Sequence, residues 1–141
     1  MLTALAALVF ALLVHAILLT YFMGTGRWLE ETSKAYKLSP AYCERSAKLK
    51  YSTLPLMVVI LVLLIITGGL GAAADPLSHV RFRGWFGLSA ADIHFLTACL
   101  TIGANLLVNL VEYFAIQQNG HLVKEVLGEV QRIREEHGLP V

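Results

Sequence analysis

The sequence predicts an all-α integral membrane protein: a three-helix bundle, N-terminus outside and C-terminus cytoplasmic, whose helices extend into the cytoplasm. Three observations predict it. The apolar runs Leu2 to Met23, Leu54 to Ala74 and Ile93 to Ile116 each cover roughly 30 Å at about 1.5 Å per residue, the thickness of a bilayer's hydrocarbon core. Hydrophobic residues make up 57% of the 141 residues and charged ones 15%, with a mean hydropathy of +0.66, which is too apolar for a soluble domain of this size. Basic residues are unevenly spread: Arg27, Lys34, Lys37, Arg45, Lys48 and Lys50 lie between the first two runs, but only Arg81 and Arg83 between the second and third. That excess assigns the segment 24–52 and the tail, with its Lys124, Arg132 and Arg134, to the cytoplasmic side. The membrane is then expected to be a bacterial cytoplasmic (inner) membrane, and the 75–92 connection faces out.

No basic residue precedes the first run, which is also longer than the usual core of a secretory signal, about 7–15 residues, so a retained span is expected. Gly24–Thr25–Gly26 reads as a flexible exit from it, and Glu30 to Lys37 as continued helix. Ser39 and Pro40 supply a stop, an N-cap and a first-turn proline, so a second helix is expected from Ala41. Pro55 is expected to kink that helix near the cytoplasmic interface, where freed carbonyls reach water. Ser89 followed by Asp92 reads as an N-cap with a first-turn acid opening the third helix. Gln117 to Gly120 marks the membrane exit, where the glycine is expected to loosen the helix.

Beyond that exit Val123, Val126, Leu127, Val130 and Ile133 recur at helical spacing, and Gly138 and Pro140 end the pattern. These apolar residues have two possible covers, the 24–52 helices of the same chain or another subunit. The expected organisation is one domain over 1–141 with cytoplasmic helical extensions over about 24–52 and 117–138.

Aromatic residues mark both membrane surfaces: Tyr21, Phe22, Trp28, Tyr51, Tyr113 and Phe114 inside, Phe82, Trp85, Phe86 and Phe95 outside. The stretch from Arg81 to Phe86 is expected to lie along the outer surface. Small residues promise close helix contact in the outer leaflet: Ala4, Ala7 and Ala11; Gly68, Gly69, Gly71 and Ala72; Ala98, Cys99 and Gly103. Cys43 and Cys99 fall at different depths, so no disulfide is expected.

Polar residues inside the spans are the candidate site. His94, Thr101, Asn105, Asn109 and Glu112 follow one another at seven, four, four and three residues, which places them along one stripe of the third helix. Intramembrane ionisable groups face a bundle interior, a cavity or a partner, while amides more often bond helix to helix. His15 lies at the depth of Asn109 by rise per residue, so a hydrogen bond between them is expected. His15 or His94 could instead ligate heme b, with lipid or quinone beside it. They differ in depth by roughly 20 Å, so a second axial histidine would come from a partner. Asp75, His79, Asp92 and His94 bracket the outer connection, but their spacing carries no metal motif, and no metal is expected.

In size and span count the chain is similar to the small membrane anchors of succinate dehydrogenase, which hold heme and quinone beneath soluble subunits. The similarity is of topology alone: no serine–arginine–histidine quinone or heme pattern maps onto this sequence. There is no glycine-rich phosphate loop, no nucleophile elbow and no cysteine cluster, and a net charge of +1 gives no reason to expect nucleic acid. The expected role is therefore a non-catalytic membrane subunit that scaffolds or anchors a larger complex, plausibly one of electron transfer. A heme or quinone anchor and an oligomeric small transporter or channel are the alternatives. Trp85 and Phe86 outside, with the tail's apolar residues inside, are the expected partner-facing positions, next to the lipid bilayer itself.

Overall fold

The computed structural model of the chain describes residues 2–80 and 82–140, with side chains from Leu5 onward. Arg81 and the Ala4 side chain, both named above, lie outside the described residues. Three helices account for nearly all of it: α1 Leu2–Tyr36, α2 Ala41–Ala74 and α3 Ala90–Glu136. Each is long and apolar enough to cross a membrane, yet only 17%, 17% and 11% of its most apolar stretch is buried. Leu106, Leu107 and Ile65 are among the apolar side chains left outward, where lipid is as good a solvent for them as protein.

Burial on each helix follows the heptad spacing of coiled-coil seams, in steps of three, four and seven. The buried positions are His15, Phe22, Leu29 and Ser33 on α1, Ser46, Thr53, Met57, Ile60 and Leu64 on α2, and Thr101, Val108, Glu112, Ala115, Asn119, Leu122 and Val126 on α3. Period 3.5 keeps one edge of a helix turned to its neighbours over its whole length.

The ends are set by local chemistry. At the end of α1, Lys37 adopts a left-handed φ of 52° and Leu38 N–H bonds Ser33 O at 2.9 Å, a Schellman closure without glycine. Ser39 Oγ accepts from Ala41 N–H at 3.3 Å and opens α2 as expected. At the start of α3, Ser89 N–H donates to Asp92 Oδ2 and Asp92 N–H to Ser89 Oγ, at 3.1 and 3.2 Å, a reciprocal capping box with aspartate in the acid position. Gly138, at φ 65°, closes α3.

By contacts the chain forms two compact units, one of Met1–His15 with Leu56–Leu110, the other of Ala16–Pro55 with Val111–Val141. In the first, Ile60, Leu64 and Val108 form the core, with Leu8, Ala11, Leu12, Leu63 and Ala104 against it. In the second, Leu29, Leu122 and Val126 form the core, with Trp28, Leu38, Tyr42 and Val130 packed on it. Both units draw on all three helices. The α2 boundary between them falls at Pro55, whose missing N–H interrupts the helix ladder.

Two sequence expectations change here. Gly120 does not loosen α3, which runs unbroken from Ala90 to Glu136. Close packing at small residues is confined to a few: a Cβ on Gly68 would lie 3.3 Å from Leu8, and one on Gly71 only 2.9 Å from the His94 ring. Gly69 and Gly103 face open space, and Cys99 is exposed.

Two turns, at 75–78 and 85–88, shape the described parts of the connection from α2 to α3. Asp75 Oδ1 accepts from Leu77 N–H at 2.9 Å, and Leu88 N–H bonds Trp85 O at 2.9 Å. Between those two, Phe86 and Gly87 have φ of 54° and 81°, the double left-handed pair of a type I′ turn. Gly84 is obligatory, since a Cβ there would sit 1.8 Å from Leu88 O. The Phe82 and Trp85 rings meet edge to face at 5.1 Å, while the Phe86 ring is wholly exposed.

Candidate functional site

In the first unit the expected polar stripe becomes a short relay of amides against a histidine. His15 is buried, and Asn105 Nδ2 stands 3.2 Å from its Nε2. Asn109 Nδ2 donates to Asn105 Oδ1 at 3.0 Å. With its oxygen taken in this way, Asn105 can only donate towards the ring, so Nε2 accepts and the imidazole proton is on Nδ1. The depth argument pointed to Asn109 as the partner of His15; Asn105, one turn earlier, makes the contact, with Asn109 behind it. Counting rise per residue from a span's end does not resolve a single turn.

Nearer the α2–α3 connection, Thr67 Oγ1 and Thr101 Oγ1 meet at 2.7 Å. Thr67 already donates to Leu63 O at 2.8 Å, so Thr101 is the donor across the helices. His94 is not part of this chain of contacts. Its ring lies over Gly71, and its Nδ1 is buried without a hydrogen bond. Glu112 is fully buried on the α3 seam of the second unit.

In this structure His15 Nε2, the nitrogen an axial heme ligand would present, stands against Asn105 Nδ2. Among the described residues no group of three or more histidine, cysteine, aspartate or glutamate side chains converges to hold a metal ion. Asp75 and Asp92 serve turns and caps.

The second unit holds a polar residue that the sequence reading passed over. Asn119 is completely buried, and its Nδ2 donates to Thr25 Oγ1 at 2.9 Å and to Tyr21 OH at 3.2 Å. Thr25 in turn donates to Tyr21 O at 2.9 Å. The signal was present: Asn119 precedes Leu122 and Val126 by three and seven residues, on the seam they define. Reading Gln117 to Gly120 as a block of exit polarity concealed it.

Of the expected partner-facing residues in this unit, Val126 and Val130 pack on the chain's own Leu29 and Leu122, the first of the two covers considered for them. Val123 and Ile133 are partly buried, and Leu127 is half exposed. Across the same unit Arg45 grips Glu125 with two hydrogen bonds of 2.6 and 3.1 Å. This bidentate contact, well beyond the apolar runs, holds the Glu125 carboxyl below its ordinary value of 4.5 and raises Arg45.

Between α1 and α2 lies a groove of about 600 Å³, lined by Phe22, Met23, Gly26, Arg27 and Lys50 among others, all from these two helices and the turn joining them. Its direction follows from two close approaches: a Cβ on Gly26 would be 3.7 Å from Ser46 Oγ, and Cys43 Sγ is 3.9 Å from Leu29 O. The helices are antiparallel, and residue numbers across the groove sum to about 72. No family model, curated protein or solved structure matches the chain.

Proposed function

We propose that this chain is a non-catalytic integral membrane subunit that anchors a larger membrane assembly, an electron-transfer complex, with its charged helix ends in the cytoplasm. One observation carries the reading: three sets of polar side chains within the helices hydrogen-bond from helix to helix. The His15–Asn105–Asn109 relay, the Thr67–Thr101 pair and the Asn119–Tyr21–Thr25 cluster are interhelical ties, the use to which amides and hydroxyls in lipid are most often put.

Partner contact then falls to the outside of the molecule, where Trp85 and Phe86 stand 62% and 101% exposed on a turn stiffened by its own hydrogen bond. The orientation rests on the basic residues around the 24–52 segment. Native mass and subunit identification after extraction in mild detergent test the proposal. A hetero-complex that loses its partner in a Trp85→Ala, Phe86→Ala variant is expected. A homo-oligomer or a monomer overturns it and moves weight to transport, checked by ion flux in an Asn105→Leu, Asn109→Leu variant.

A further inference from the structure

We infer that the groove between α1 and α2 binds the phosphate of an anionic phospholipid, with Arg27 and Lys50 on the headgroup and Met23 beneath its acyl chains. This rests on the chain spanning a bilayer and not on its having a protein partner. Arg27 is the first basic residue after the first apolar run, and Lys50 the last before the second. Both line the one groove, so antiparallel packing has brought the cationic edges of two spans to a shared cleft.

The register places each group at its depth. With facing residues summing to about 72, Phe22 stands level with Lys50, and Arg27 lies about 7 Å further from the hydrocarbon at 1.5 Å per residue. The membrane end of the groove therefore sets Met23, at the close of the first run, beside Lys50 at nearly the same level, and Arg27 stands just beyond, towards the lipid phosphates. Lining cations outnumber carboxylates by three, Arg27, Lys34 and Lys50, to one, Glu30. That balance favours an anion over a zwitterion.

Existing pairings do not close the site. Arg27 bonds Glu31 at 2.8 Å and Lys34 bonds Glu30 at 2.6 Å, but these side chains are 59–81% exposed. Exposed pairs of this kind are readily exchanged for a better anion. Lys50 Nζ rests over the Tyr51 ring at 4.7 Å, so its charge is held at the membrane interface by an aromatic and not by a carboxylate. The volume falls within the roughly 300–1,000 Å³ of small-ligand sites, enough for a headgroup and glycerol with the chains trailing into the bilayer.

The test is lipid retention by the full-length chain, measured by native mass spectrometry across titrations with phosphatidylglycerol, phosphatidylcholine and inorganic phosphate. Preferential retention of phosphatidylglycerol is expected, weakening as salt is raised. An Arg27→Gln, Lys50→Gln variant should lose about tenfold in that preference. Lys124→Gln, Arg132→Gln, which removes the same charge from α3, should keep it. Gly26→Leu, which fills the groove without altering charge, should also weaken retention. Equal retention of the two lipids by the unmodified protein overturns the proposal even if the variants do not assemble. So does unchanged preference in the Arg27, Lys50 variant, or an equal loss in the α3 control, which would indicate general surface charge. Binding of inorganic phosphate as tight as that of the lipid would identify a free-anion site instead.

Discussion

The two compact units are built by the same three helices on the same heptad spacing, yet they differ in what they show to the outside. In the unit of Met1–His15 with Leu56–Leu110 the outer positions are Leu106, Leu107, Ile65 and Val58. In the unit of Ala16–Pro55 with Val111–Val141 they include the ion pairs Arg27–Glu31, Lys34–Glu30, Arg45–Glu125 and Arg132–Glu136. Their interiors are alike, an aliphatic trio beside a small set of hydrogen-bonded polar side chains. The difference teaches that the seam decides which residues meet, whereas the surrounding solvent decides what the remaining faces are made of.

That comparison can be broken most forcefully at an aliphatic core position. Leu122→Ala should cost about 2–5 kcal/mol by lost burial and cavity formation, read from chemical denaturation of the detergent-solubilised protein, while Leu106→Ala on the lipid-facing side should cost almost nothing. Equal costs for the two would show that burial in protein and contact with lipid are not distinct for this chain. Asn105→Leu should cost less, about 0.6 kcal/mol and at most about 1.7, the mean and the maximum found for interhelical hydrogen bonds in membranes. Asn119→Leu should fall in the same range or above, since it removes two bonds, and a stabilised Asn119→Leu protein would contradict its assignment as a tie.

The smallest effect belongs to the Arg45–Glu125 bridge. Its contribution is fully present above the ordinary carboxylate value, because Glu125 is held below it in the folded chain, and is lost as pH falls through that lower value. Arg45→Ala should therefore abolish a modest acid-side decline in stability without affecting the protein at neutral pH beyond a small, salt-screened loss. A decline of the same size in the variant would assign it to other carboxylates.

Much of this fold was legible because helices in lipid must satisfy their own backbone, so length and apolarity suffice to find them. Ser39, Ser89 with Asp92, and Gly138 were legible because capping depends on chemistry within a few residues. The His15 contact was legible only to within a turn, because rise per residue gives depth and not the rotation that selects Asn105. Asn119 was hidden for a different reason: a polar residue at a span's end looks the same whether it meets water or closes a seam, and only its phase with Leu122 and Val126 separates the two. The groove could not be read at all, since it depends on which α1 residues face which α2 residues.

Lys37 has one more consequence. Holding a side chain at φ 52° costs about 1–2 kcal/mol that glycine would not incur, partly offset by the wider freedom glycine gives the unfolded chain. In a saturating substitution scan nearly every glycine introduced into these helices should register as a loss. Position 37 should stand out as a gain, and a library screened for thermal tolerance should enrich for it without any knowledge of what the protein does.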